Sequence, residues 1–352
     1  MRIKIDCQLF QDETQRSNLA ELFLNANRLP HQLLITGGDV GAAHKDRWLD
    51  SVGELGPHLE QILVRGRRPE LLRKPPEITL EVTNMKDEAI DPTGKTAVVT
   101  LERAKDLVRK PLKLWLENGT NDSAFLRTVA PAGEFRTWLE SAKEKEWIDY
   151  GHGGGSNLGT ILRKLDPWSR LRSWAMCDSD CWKPGEVSQQ VKIFRSASDA
   201  DPRGPGELPL PALPLQVLRR RAIENYLPTP ALKCWANLRL NTNHEQRKRR
   251  LAFAEAAQLL DAHEAPFELR HHYHMEKGFR SEPDKIPEDY GPFREDPVLQ
   301  QGMGPSIKSV FEDNLQTLET GGSGWLKDAW LEADGDLREE FEDIIESIRR
   351  RI

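Results

Sequence analysis

Five carboxylates set at or near the ends of apolar runs are the residues here whose types and spacing could do chemistry. Leu114, Trp115 and Leu116 read as a short buried strand that delivers Glu117 at its C-terminal end, and Asn118-Gly119-Thr120 then turns the chain into a helix carrying Asp122. Farther on, Trp174, Ala175 and Met176 form a second apolar run ending in Asp178-Ser179-Asp180. Alternate residues of a strand share a face, so both aspartates are expected to point at one spot. Glu224 follows a basic triplet, Arg219, Arg220 and Arg221. Converging carboxylates repel one another, and a hard divalent cation or protons relieve that repulsion. Glu117, Asp178 and Asp180 make a minimal ligand cluster for Mg2+ or Mn2+, and Asp122 with Glu224 could complete the shell of a second ion. Two ions bridged by carboxylates supply what phosphodiester cleavage requires: a placed nucleophile, stabilised phosphoryl charge and an escorted leaving oxygen.

The order of these residues, a Glu ending one strand, a glycine-containing turn and an Asp-x-Asp ending a later strand, resembles the Toprim domain of topoisomerases, primases and OLD-type nucleases. Glu117 matches the family's Glu, and Asp178 with Asp180 its Asp pair. The chain departs from the pattern at Asn118, where the family has Gly, and Asp122 stands farther on than the family's next acid. Arg221-Ala222-Ile223-Glu224-Asn225-Tyr226-Leu227 is similar to the Arg-x-x-Glu-Asn-Tyr-Leu stretch of Toprim nucleases from OLD-type and related defence proteins. The resemblance covers roughly the middle half of the chain. It implies an α/β fold with a Toprim-like Rossmannoid parallel sheet, and a nuclease acting on DNA or RNA with Glu117, Asp178 and Asp180 as catalytic residues. It also implies a downstream catalytic Lys, for which Lys277 in His274-Met275-Glu276-Lys277-Gly278-Phe279 falls in a similar place. Anti-phage or anti-plasmid defence, with a separate ATPase or sensor protein as partner, is implied as well. The alternatives are a topoisomerase- or primase-like enzyme and a non-catalytic nucleic-acid or protein adaptor on a degenerate Toprim scaffold. None of the four tyrosines sits in a setting recognisable as a topoisomerase nucleophile.

The elements that must position these residues follow from apolar periodicity. Residues 1–110 read as an N-terminal α/β or α+β domain, with helices over 14–27 and 48–64 and strands over 32–36 and 78–82. Residues 111–300 read as the Toprim-like unit. In it, a helix over 132–147 leads to a strand over 148–150, a Gly-rich loop over 151–157 opens a helix over 158–165, and a strand follows at 215–218. The backbone amides of that loop could receive an anionic oxygen, or it is a plain tight turn. The Pro- and Gly-rich 196–214 is expected to be an irregular excursion. A helical insertion occupies about 228–263, with Leu251, Phe253, Ala256, Leu259 and Leu260 as its apolar face. Residues 301–352 are expected to form C-terminal helices.

Net charge is −6, so no overall positive field draws this chain to nucleic acid, and binding must be local. The candidate nucleic-acid contacts are Arg219, Arg220 and Arg221 beside Glu224, and Arg247, Lys248, Arg249 and Arg250 in the insertion. A third cluster, Arg65, Arg67, Arg68, Arg73 and Lys74, reads as a solvated face. Thr36-Gly37-Gly38-Asp39-Val40-Gly41 lacks the Gly-Lys-Ser/Thr of a P-loop and no long helix is expected after it, so it reads as a strand-to-helix turn. Four scattered cysteines fit a reducing compartment, and the start of the chain lacks the apolar segment of a signal peptide. The expected location is cytoplasmic, with no membrane partner. His271, His272 and His274 with Cys177 and Cys181 match no common zinc spacing.

Overall fold

The computed structural model describes residues 1–66, 75–85, 87–129, 134–201, 203, 207–237, 243–319 and 335–352. Its first sheet contains β1 (Arg2–Ile5), β2 (Gln32–Ile35), β3 (Thr79–Thr83), β4 (Ala89–Ile90) and β5 (Thr96–Thr100), in the order β2-β1-β3-β5-β4. All neighbours run parallel except β4, which is antiparallel to β5. Alternation selects the buried face: Ile3, Ile5, Leu80, Val82, Ala97 and Val99 are buried while their neighbours along each strand are half-buried. Helices α1 (Arg16–Arg28), α2 (Gly38–Ser51), α3 (Gly56–Gly66) and α4 (Leu101–Arg109) complete this unit.

Two expectations are corrected here. The helix expected over 48–64 is broken, because Gly53 lies in the left-handed region at φ 60° and separates α2 from α3. A 14-residue helix does follow the Gly37-Gly38 turn, contrary to expectation, although the turn still carries no Lys-Ser/Thr. Arg65 is exposed, while Arg67, Arg68, Arg73 and Lys74 lie outside the described residues.

The second sheet holds β6 (Leu112–Leu116), β7 (Ile148–His152), β8 (Ser173–Cys177) and β9 (Leu215–Val217), in the order β7-β6-β8-β9 and parallel throughout. Helices α5 (Gly119–Val129) and α6 (Glu134–Glu144) connect β6 to β7; α7 (Leu158–Lys164) and α8 (Pro167–Leu171) connect β7 to β8; α9 (Gln189–Ser198) follows β8. Every residue of β8 is buried, as befits an inner parallel strand covered on both faces, which is why its sequence reads as an unbroken apolar run. On one face Leu112, Leu114, Leu116, Trp174 and Met176 pack with Phe125 and Leu126 of α5. On the other, Ala175 and Cys177 pack with Leu158 and Leu162 of α7 and Val191 and Phe194 of α9. The chain thus leaves β6 on one face and β8 on the opposite face. Adjacent strands with that property form a switch point, and the crevice beyond their C-terminal ends is where open α/β sheets bind ligands.

Helices α10 (Thr229–Asn237), α11 (His244–Ala262), α12 (Leu269–His272), α13 (Pro297–Gln301), α14 (Val310–Glu319) and α15 (Gly335–Arg349) cover the α5 side. Leu337, Phe341, Ile344, Ile345 and Ile348 of α15 join the same apolar cluster as β6 and β8, so the C-terminal helices share the second sheet's core. Phe341 meets Phe125 and Tyr226 with ring centroids 5.6 and 5.4 Å apart. In α11 the buried side is Phe253, Ala254, Ala256, Ala257 and Leu260; Leu259, expected on it, is exposed. Among the described residues no helix is long and apolar enough to cross a membrane.

Candidate metal centre

Glu117 is the first residue beyond β6 and Asp178 the first beyond β8, so the parallel register of the two strands brings them to the same edge of the sheet. The Asp178 amide donates to Glu117 Oε2 at 3.4 Å, and Gln190 Nε2, from the first turn of α9, donates to Glu117 Oε1 at 2.9 Å. Burial and then the charge of Asp180 push the Glu117 carboxyl up to about 7. Asp178 is driven well above the usual carboxylate range by burial, then by the charges of Glu117, Asp122, Glu224 and Asp180.

Asp122 lies in the first turn of α5 and is buried. Its Oδ2 accepts the Asn118 N–H at 2.8 Å, which closes the helix start; burial nonetheless raises this carboxyl to about 8, helped by Glu117 and Glu224. Asn118 Oδ1 in turn accepts the Asn121 N–H at 3.3 Å. Asn118 therefore caps the helix that carries Asp122.

Asp180 reaches the cluster by a route the sequence did not suggest. The strand ends at Cys177, and Asp180 takes a left-handed backbone with φ 53°, so simple alternation does not orient it. Two bonds to the basic triplet hold the loop instead: Ser179 Oγ donates to Arg220 O at 2.8 Å and the Asp180 amide to Arg221 O at 3.0 Å. Burial raises the Asp180 carboxyl, while Arg221 and Lys277 oppose the rise. Glu224 is buried in the turn Ile223–Tyr226, and burial raises it as well.

The side chains of Arg220 and Arg221, expected to contact phosphate, are instead built into the fold. Arg220 is buried, donates to Asn225 O at 3.0 Å and stacks on Tyr226. Arg221 is buried, pairs with Glu282 at 2.7 Å and lies 4.4 Å over the Trp182 ring. Arg219 alone of the triplet is exposed. The rest of the motif is structural too: Asn225 Nδ2 donates to Arg270 O and Tyr273 O, and Tyr226 Oη bonds the buried Glu340 of α15 at 3.0 Å. Of Arg221 to Leu227, only Glu224 adds a carboxylate to the cluster.

In the insertion, Arg250 is buried 4.0 Å over the Trp235 ring, and Arg247 bonds Asn237 Oδ1 at 3.1 Å; Lys248 and Arg249 are exposed. Arg250 is thereby removed from the candidate nucleic-acid contacts, because its guanidinium faces the core. The Gly-rich loop is a packing device: Gly153 N donates to Leu116 O at 2.6 Å and Gly155 N to Glu117 O at 3.0 Å, so these two amides are not offered to an anion. A Cβ on Gly153 would stand 2.8 Å from Leu116 O.

Lys277 is exposed and its charge reaches Asp180. The cation set deeper among the acids is Lys308, which no sequence motif marks. It pairs with Glu276 at 2.9 Å, and its field acts on Glu117, Asp122 and Glu224. Burial works against its charge, but Glu276, Glu224 and Asp178 outweigh that and hold it above the ordinary lysine value. Gln190 likewise had no signal, since only tertiary packing brings α9 to Glu117.

The donor set is all oxygen, which suits a hard cation. Among the described residues, however, no three Asp, Glu, His or Cys side chains stand together as a ready metal-binding group. Glu117 is held by Gln190 and the Asp178 amide, and Asp122 by the Asn118 amide, so both carboxylates already have partners. Compared with known proteins, the chain matches no family model, no curated protein and no solved structure.

Proposed function

We propose that this protein is a Mg2+- or Mn2+-dependent nuclease that cleaves phosphodiester bonds of DNA or RNA. The observation that carries the reading is the meeting of Glu117 and Asp178 at the β6–β8 switch point, with Asp122, Asp180 and Glu224 near by; burial raises all five, and the charges of the others add to the rise at Glu117, Asp122, Asp178 and Glu224. Glu117 and Asp122, raised to about 7 and about 8, hold protons near neutral pH, and carboxylates so raised by burial and by one another suit a cation. Glu117, Asp178 and Asp180 would hold one ion, and Asp122 with Glu224 a second. Bound divalent ions supply stabilisation of charge on the phosphoryl and leaving oxygens. Lys308 is the side chain best set to take a non-bridging oxygen, with Glu276 orienting it. Arg221 and Glu282 fix the loop that presents Asp180. Defence against phage or plasmid, with an ATPase or sensor partner, is part of this reading on the strength of the Arg221 to Leu227 resemblance. The test is incubation of purified protein with labelled plasmid, single-stranded DNA and tRNA, with and without Mn2+. Metal-dependent cutting of at least one is the expected result, and none in any combination, with a candidate partner added, overturns it.

A second reading is an adaptor that binds through the same scaffold without cutting. The tethering of Glu117 by Gln190 and the Asp178 amide favours it, because a carboxylate so occupied contributes to folding without a metal. Calorimetric titration with Mn2+ separates the two, since the adaptor takes up no ion at these acids.

A further inference from the structure

Beside the acid cluster lies an open depression of about 510 Å3 lined by Arg249, Lys277, Arg280, Ser281 and Gln301. It gathers three cations in a chain whose net charge is −6, and among the described residues none of the three makes an ion pair. Lys285, on the same segment, by contrast pairs with Glu282 at 2.7 Å. Here Arg249 comes from α11, while Lys277, Arg280 and Ser281 come from the loop after α12 and Gln301 from the end of α13.

The floor beneath them is rigid. Gly278 at φ 66° and Gly302 at φ 61° cross so closely that a Cβ on Gly278 would sit 2.5 Å from Gly302 N, and one on Gly302 would sit 2.7 Å from Glu276 O. Met303 N donates to Met275 O and Gly304 N to Glu276 O, both at 2.8 Å, and Arg249 Nη2 donates to Gly302 O at 3.2 Å. The two loops are thus locked together, which fixes the backbone that carries Lys277 and Arg280 and the guanidinium of Arg249 before any ligand arrives. The same locked loops carry Glu276, the partner of Lys308, so depression and acid cluster share one support.

We infer that this depression is the track for the sugar–phosphate backbone of a nucleic-acid strand on its way from the acid cluster, with Arg249, Lys277 and Arg280 neutralising successive phosphates. This rests on the nuclease reading. Each neutralised phosphate on a single strand contributes about −0.7 to the slope of log K against log salt. The experiment is fluorescence anisotropy of a labelled single-stranded oligodeoxynucleotide in EDTA, over a range of NaCl. Arg249→Ala/Arg280→Ala should flatten the slope by about 1.4 and Arg280→Ala alone by about 0.7. The single variant alters an exposed side chain with no bond among the described residues, so it guards against a folding effect. Unchanged slopes in both variants, from a wild type that cuts nucleic acid, overturn the track and leave the nuclease reading standing. Flattened slopes with no cutting under Mg2+ or Mn2+, a candidate partner added, keep the track and overturn the nuclease reading. The same titration is run with labelled polyglutamate; loss of its binding in the variants without loss of oligonucleotide binding assigns the depression to an acidic protein segment and overturns the inference.

Discussion

Glu117 and Asp178 face each other across neighbouring parallel strands, with the amide of one donating to the carboxylate of the other at 3.4 Å. The contact binds the ends of β6 and β8 together at the switch point and sets two acids side by side. It leaves Glu117 sharing its two oxygens between Gln190 and Asp178, so the residue has a structural tie as well as a proposed ligand role.

Glu117→Gln should keep that shape and remove the charge. Losing one anionic ligand should lower nuclease activity on the order of a hundredfold or more. Thermal stability should hold or rise, because the carboxyl is already pushed up to about 7 by burial and by Asp180. Parallel unfolding and cleavage assays decide the matter; full activity in the variant removes Glu117 from the chemistry.

Asp178→Ala should weaken Mn2+ binding at least about tenfold by calorimetry, since it deletes a proposed ligand of the first ion. Equal affinity in variant and wild type would place the ion elsewhere or nowhere.

The pH dependence has a definite sign. Glu117 and Asp122 are raised to about 7 and about 8, so between the ordinary carboxylate value and those values the folded, metal-free chain holds more protons than the unfolded one. Stability therefore falls as pH rises through that window. Mn2+ must displace these protons, so the rise in unfolding temperature it causes should be larger at pH 8 than at pH 5.5. Differential scanning fluorimetry at the two pH values checks it, and equal shifts contradict the proposed ligand set.

Arg221→Met should cost about 3 kcal/mol of stability, because Glu282 loses its buried partner and Trp182 its stacked cation. Although burial opposes it, hydrogen bonds from Lys285 and Arg221 hold Glu282 down to about 2. Urea unfolding reads the loss. Arg219→Ala, at an exposed position, should change stability by less than about 0.5 kcal/mol.

Tyr226→Phe should cost about 1–3 kcal/mol, since Glu340 is buried and loses a hydrogen-bond donor. Denaturant titration tests it, and a neutral result would show that water replaces the phenol.

The sequence by itself determined the apolar runs of β6, β7 and β8, the parallel α/β character and the placing of Glu117 and Asp178 one step beyond their strands. These follow from local rules: strand burial has its own periodicity, and a residue just past a strand stands at the sheet's edge. Tertiary structure alone decided the rest. Arg220, Arg221 and Arg250 look like a nucleic-acid surface in one dimension, but a guanidinium can stack on an aromatic ring inside a protein, and only packing reveals that Tyr226, Trp182 and Trp235 receive them. The left-handed turn at Asp180, the arrival of Gln190 at Glu117 and the placing of Lys308 among the acids involve residues up to more than a hundred positions apart in sequence. No local pattern encodes such meetings: α9 brings Gln190 from the face where Val191 and Phe194 pack with Ala175 and Cys177, and Lys308 arrives with Ile307 and Val310, which join the core of α5 and α15 on the other face.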